Sequence, residues 1–149
     1  SDFAMEQIST IMTNQHRLCD DHFAALENAA STGDWETAES AWKRFNQSML
    51  DHFDNEESLL FPAFESMTGN TQGPTQMMRM EHKQMRSLLE GLQQAVENHY
   101  TEQMLGVADT IMLMIQQHNM KEEQILYPMI DNAVGESPTV REQLKSIEA

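Results

Sequence analysis

The residues of this chain whose types and spacing could do chemistry are its histidines and two matched carboxylates. The string HFDNEESLLFP begins at His52 and HNMKEEQILYP begins at His118, so Glu56 and Glu122 each follow a histidine by four residues. On a helix that spacing stacks the two side chains one turn apart on one face. The strings are offset by 66 residues (118 − 52), and the same shift carries His16 onto His82, Met12 onto Met78, Glu57 onto Glu123 and Pro62 onto Pro128. Such a repeat predicts two helical hairpins related by a pseudo-twofold axis.

These polar residues fall where a core should be. Apolar side chains recur at alternating spacings of three and four, the signature of amphipathic helices. The stripes are Met12, His16, Cys19, Phe23, Leu26, Ala30; then Trp42, Phe45, Met49, His52, Glu56, Leu59, Ala63; then Met78, His82, Met85, Leu89, Leu92, Val96. The last is Met104, Ala108, Ile111, Ile115, His118, Glu122, Ile125, Met129. A buried polar group without a partner costs about 1–3 kcal/mol, and an unpaired charge costs more. Four histidines and two glutamates converging on one axis therefore need a joint explanation. Neutral imidazoles and carboxylates suit first-row transition metals. Six ligands exceed an ordinary zinc site and match two metals, with Glu56 and Glu122 bridging and two histidines on each metal. That leaves positions for an oxo or hydroxo bridge and for a small exogenous ligand.

The positioning elements follow from the breaks. Gly33 with Asp34, then Gly69, Gly73 and Pro74, then residues 99–101 with Thr101 as a cap, then Gly135, Ser137 and Pro138, divide the chain. Between them lie four long helical segments, followed by a short helix from about Pro138. Strand periodicity is absent. Short connections make neighbours antiparallel, so the expected fold is all-α, an up-down-up-down four-helix bundle in a single domain spanning 1–149. Level can be checked from the turns: His16 and His52 are each 18 residues from Asp34, and His82 and His118 are each 18 from Tyr100. All four histidines can then share one layer, with the glutamates about 6 Å along the axis. His22 is a rival for His16, on a stripe through Ile8, Ile11, Gln15, Leu18 and Ala25. It lies closer to the turn, and the repeat maps it onto Leu88, so His16 is preferred.

Composition narrows the field further. The chain has 149 residues, a net charge of −15 and 40% hydrophobic residues, enough for a core. The acidic balance argues against nucleic acid and anionic lipid as partners. No apolar run suffices to span a membrane, and no basic region followed by an apolar stretch reads as a secretory signal. The single cysteine, Cys19, excludes an internal disulfide, a Cys-rich zinc site and covalent haem; a reducing cytoplasm fits. Ferritin-like di-iron bundles use Glu-x-x-His, and no histidine here has a glutamate three residues before it. A non-covalent haem held by His and Met remains open, but would leave several buried polar groups unused.

The strings NQHRLCD, DHFDNEESLLFP, MEHKQMR and QQHNMKEEQILYP together resemble the hemerythrin-like, or HHE cation-binding, family. The resemblance spans most of the chain. It implies a non-haem di-iron centre, oxo- or hydroxo-bridged, inside a four-helix bundle. Members bind, carry or sense dioxygen, respond to iron, or help repair iron centres damaged by nitric oxide or oxidants. Oxygen carriers resemble His-x-x-x-His on the third helix and His-x-x-x-x-Asp on the fourth. Here those places read His82-x-x-x-Arg86 and His118-x-x-x-Glu122, closer to the iron-sensing and repair branches. The implied ligands are His16, His52, Glu56, His82, His118 and Glu122, and the implied small ligands are dioxygen, peroxide or nitric oxide. An iron store or donor, and a zinc-bearing or metal-free interaction bundle, are the alternatives.

Several neighbours complete the reading. Asp20 and Arg86 are expected as an ion pair beside the site. Glu57, Glu81 and Glu123 flank the ligands and either accept the second histidine N–H or lie on solvated faces. Met12, Met49, Met78 and Met85 fill the core. Cys19 reads as a buried, inert thiol. Pro62 and Pro128 are expected to kink their helices just past the site.

Overall fold

The computed structural model describes residues 6–147; the remaining ends of the expected 1–149 domain lie outside them. Four helical rods form the bundle. The first is α1, Ile8–Ser31. The second runs through α2, Trp35–Asp54, a π turn at Asn55–Leu60, and α3, Phe61–Thr68. The third is α4, Pro74–Glu97. The fourth runs through α5, Thr101–Lys121, a π turn at Glu122–Leu126, and α6, Tyr127–Val134. A short α7, Pro138–Gln143, follows. No strand occurs among the described residues, and the fold is the all-α four-helix bundle with a short C-terminal helix. The hairpin α1–α2 and the hairpin α4–α5 each pack along their length, and α3 meets α6.

Local chemistry sets the ends. Asp34 caps α2 by accepting from the Thr37 N–H at 3.2 Å, and Ser137 caps α7 by accepting from the Val140 N–H at 3.3 Å. Gly33 takes φ 77°, a left-handed turn that suits glycine. In the second hairpin His99 does this at φ 56°. Its ring stacks on Trp35 with centroids 5.0 Å apart, and Nε2 lies 3.2 Å from Glu39. Thr101 is not the cap expected of it: Tyr100 holds that position and Thr101 is the first helical residue.

The prolines act differently from a plain kink. A proline ring clashes with the carbonyl four residues back and offers no N–H. In each rod the strain is met by a wider turn: Phe61 N–H bonds to the Glu56 carbonyl, and Tyr127 N–H to the Glu122 carbonyl, five residues back. Each π turn takes up one extra residue, so the stripe beyond it changes phase. Leu60, Phe61 and Phe64 are buried where Leu59 and Ala63 were expected, and the latter are half-buried. In the fourth rod Leu126, Tyr127 and Ile130 are buried, while Ile125 is 55% exposed and Met129 37%.

The apolar core is in two parts. One, at the end of the two hairpin turns, includes Phe23, Leu26, Phe45, Leu92 and Ile111. The other, at the end of the chain termini, includes Ile8, Leu60, Phe64, Ile130 and Val140. The polar layer lies between them. Leu92 is fully buried in the first part. Leu92→Ala is expected to lower unfolding free energy by about 2–5 kcal/mol, measured by chemical denaturation; a change below about 1 kcal/mol would contradict this packing.

Candidate metal centre

All six of His16, His52, Glu56, His82, His118 and Glu122 are buried, none more than 4% exposed. One ligating atom from each of Glu56, His82, His118 and Glu122 lies within 4.8 Å of the others, and the same holds for His16, His52 and Glu122. The histidine rings of each hairpin meet, His16 with His52 at 4.6 Å and His82 with His118 at 5.0 Å between centroids. The carboxylates span the two groups. Glu122 Oε1 is 3.0 Å from His16 Nε2 and 3.2 Å from His118 Nε2; Glu56 Oε1 is 3.0 Å from His82 Nε2 and 3.6 Å from His52 Nε2.

All four histidines are oriented alike, with Nε2 turned into the layer and Nδ1 turned out. Each Nδ1 has an outer acceptor. His16 bonds to Glu123 at 2.7 Å, His82 to Glu57 at 2.6 Å and His118 to Glu81 at 2.8 Å. His52 bonds to the neutral amide oxygen of Gln15 at 3.0 Å. This is how metal-binding histidines are commonly held. It also follows the repeat: Glu57 and Glu123 are related by 66 residues, and so are Gln15 and Glu81.

The outer groups are themselves anchored. Arg86 donates twice to Glu57, at 2.9 Å each. Lys121 donates to Glu81. Asn55, which the repeat relates to Lys121, donates to Gln15 at 3.2 Å and to the Lys145 carbonyl at 3.0 Å. The expected Asp20–Arg86 pair is therefore corrected: Asp20 is exposed, and the Arg86 guanidinium is engaged by Glu57, whose oxygens match its fork. His22 is buried outside the layer, lining a surface cleft with Lys43, Arg44 and Asp51. Met12, Met49, Met78 and Met85 are buried. Burial pushes the Cys19 thiol up to about 12, which keeps it protonated and unreactive.

Sequence reasoning missed Tyr127. Its hydroxyl lies 2.7 Å from Glu56 Oε2, 2.9 Å from Glu122 Oε1, 3.1 Å from His16 Nε2 and 3.3 Å from His52 Nε2. Gln15 entered only as a member of the rival stripe of His22. Both signals were in the repeat, as the places where Phe61 becomes Tyr127 and Glu81 becomes Gln15.

Electrostatics show what the layer lacks. Burial opposes charge on His16, but hydrogen bonds to Glu122 and Glu123 outweigh it and raise the pKa to about 9. For His82 burial is likewise outweighed by Glu56 and Glu57, again to about 9. Burial and the charge of His16 push His52 down to about 4. Burial and repulsion from Glu122 raise Glu56 to about 7. Even so, Glu56 Oε1, His82 Nε2, His118 Nε2 and Glu122 Oε2 are buried without a hydrogen-bond partner. Buried polar atoms crowded at 3.0–3.2 Å without hydrogen-bond alignment are what a shared cation would satisfy. The donor set, imidazole nitrogen and carboxylate oxygen, fits first-row transition metals.

A family model described as hemerythrin HHE cation binding domain matches residues 7–130. No curated protein and no solved structure matches the chain.

The histidine shifts set a pH window for the metal-free protein. His16 and His82 are raised from 6.5 to about 9, so the stability they contribute is complete below about 6.5 and lost as pH rises towards 9. Chemical denaturation of metal-free protein should show stability falling across that interval. A rise there would contradict the ion-paired layer.

Proposed function

The chain belongs to the hemerythrin HHE cation-binding family, and from that premise we propose that it holds a pair of iron ions and binds, senses or reacts with a small ligand such as dioxygen, peroxide or nitric oxide. The observation that carries this is the ring of four inward Nε2 atoms around two carboxylates, with four buried polar atoms left unsatisfied. His82 and His118 would hold one ion, and His16 and His52 the other. Glu56 and Glu122 would be shared between the two, since each approaches histidines of both hairpins.

Bound iron would supply the redox capacity that the imidazoles and carboxylates of the layer lack. The protein's part is to hold the ligands and limit water. The outer acceptors fix each imidazole with Nε2 inward, and the carboxylates among them strengthen nitrogen donation. The apolar clusters above and below close the layer to bulk solvent. No helix among the described residues is long and apolar enough to cross a membrane.

Metal analysis of anaerobically purified protein is expected to give about two irons per chain, the count that four histidines with two shared carboxylates imply. His52→Ala should lose a substantial part. Absence of metal even after reconstitution with iron(II) would overturn the reading. Peroxide turnover by the loaded protein then separates a reactive centre from an iron store.

Glu57→Gln tests the outer ring. It removes the charge behind His82 and the partner of Arg86, so metal affinity should fall about 10–100-fold, read by competition with a chelator. Unchanged affinity would make Glu57 a surface residue only.

A further inference from the structure

The two halves of the layer are nearly equivalent, and they differ in two places. The 66-residue shift relates Phe61 to Tyr127 (127 − 61) and Gln15 to Glu81 (81 − 15). Phe61 stacks on His82 with centroids 5.9 Å apart and 21° between planes; Tyr127 stacks on His16 at 5.5 Å and 26°. The packing role is thus the same on both sides, and Phe61 fills it without a hydroxyl. The Tyr127 oxygen is an addition to one half only.

Its surroundings are unusual for a core tyrosine. A phenol has one hydrogen to donate, which suffices for Glu56 Oε2 or Glu122 Oε1 but not both. Yet four atoms, each from a different candidate ligand, lie within 2.7–3.3 Å of it. Donors at right angles on one metal, each about 2.1 Å from it, are about 3 Å apart. An octahedral vertex has four such neighbours. The Tyr127 oxygen has the spacing of a vertex beside His16, His52, Glu56 and Glu122.

The shell behind the histidines differs between the halves as well. Three of the histidines face an outer carboxylate, but His52 faces the neutral Gln15. His52 thus lacks the carboxylate that strengthens nitrogen donation in the other three, and an oxygen anion on the same ion would make up for the weaker donor.

We propose that Tyr127 is itself a metal ligand, binding through its oxygen as a phenolate to the ion held by His16 and His52. The inference rests on the di-metal reading above. On binding, the O–H bond breaks, a metal–oxygen bond forms, the proton leaves to bulk water and no electron is transferred. The pair of ions is then chemically unequal, one with an oxygen anion of its own and one without.

The test is resonance Raman and visible absorption on the iron(III)-loaded protein, with metals per chain measured on the same samples. The chain has two tyrosines, and Tyr100 is 57% exposed at the turn before α5. Resonance-enhanced phenolate modes under a visible charge-transfer band in wild-type protein would therefore assign Tyr127. Tyr127→Phe, which copies the natural Phe61 of the other half, should abolish band and modes while circular dichroism stays unchanged. An iron-loaded wild type lacking phenolate modes, or a loaded Tyr127→Phe that keeps them, overturns the ligand but leaves the di-metal reading standing. A wild type that takes up no iron overturns both. Should the variant fail to load, the wild-type spectrum decides alone.

Discussion

A charge taken out of water must be given a partner, because the effective penalty in a protein interior is several kcal/mol per ion. Six ionisable side chains buried at one level of one bundle place that demand on everything around them. The response is concentric. Carboxylates sit between imidazoles at the centre, and the outward nitrogen of every imidazole is bonded to an outer acceptor. Three of those acceptors, Glu57, Glu81 and Gln15, are held in turn by Arg86, Lys121 and Asn55. With each Nδ1 committed outwards, each Nε2 has one direction left, and the four converge.

Much of this is legible in the sequence alone. Buried polar residues at helical spacing, a repeat of 66 residues and equal distances from the turns suffice to bring His16, His52, His82 and His118 together. The stripes of α1 and α4 hold to their last residue, because nothing interrupts their period. The stripes of the second and fourth rods hold only as far as Glu56 and Glu122. Beyond them a π turn adds a residue, and a fixed period of three and four cannot anticipate the insertion. Proline marks the place of the disturbance but does not say whether the helix bends or widens. Asp20 failed for a different reason. One-dimensional spacing placed it near Arg86, but Glu57, on a neighbouring rod, presents two oxygens to the guanidinium fork.

The pseudo-symmetry is more informative where it breaks than where it holds. Pairs such as Glu57 with Glu123 carry the same task in both halves. Gln15 differs from Glu81, and with it the hydrogen-bond chain changes course. Where Glu81 meets the ammonium of Lys121, Gln15 meets Asn55 and donates to the Lys145 carbonyl at 3.0 Å. Asn55 also accepts from the Lys145 N–H at 2.8 Å. The stretch after α7 is thereby joined to His52 through neutral amides alone, in contrast to the charged pairs on the opposite side.

The division of the apolar core carries a further consequence. All four rods contribute to the cluster at the hairpin turns, and the first, second and fourth rods build most of the other, with α4 reaching it through Met78. Each end can hold rods together without help from the layer between them. Architecture and reactivity are thereby uncoupled along the bundle axis. A lineage carrying this scaffold can exchange one inward side chain for another, as Phe61 and Tyr127 already illustrate within a single chain, and explore new chemistry while the packing at either end goes on specifying the same shape.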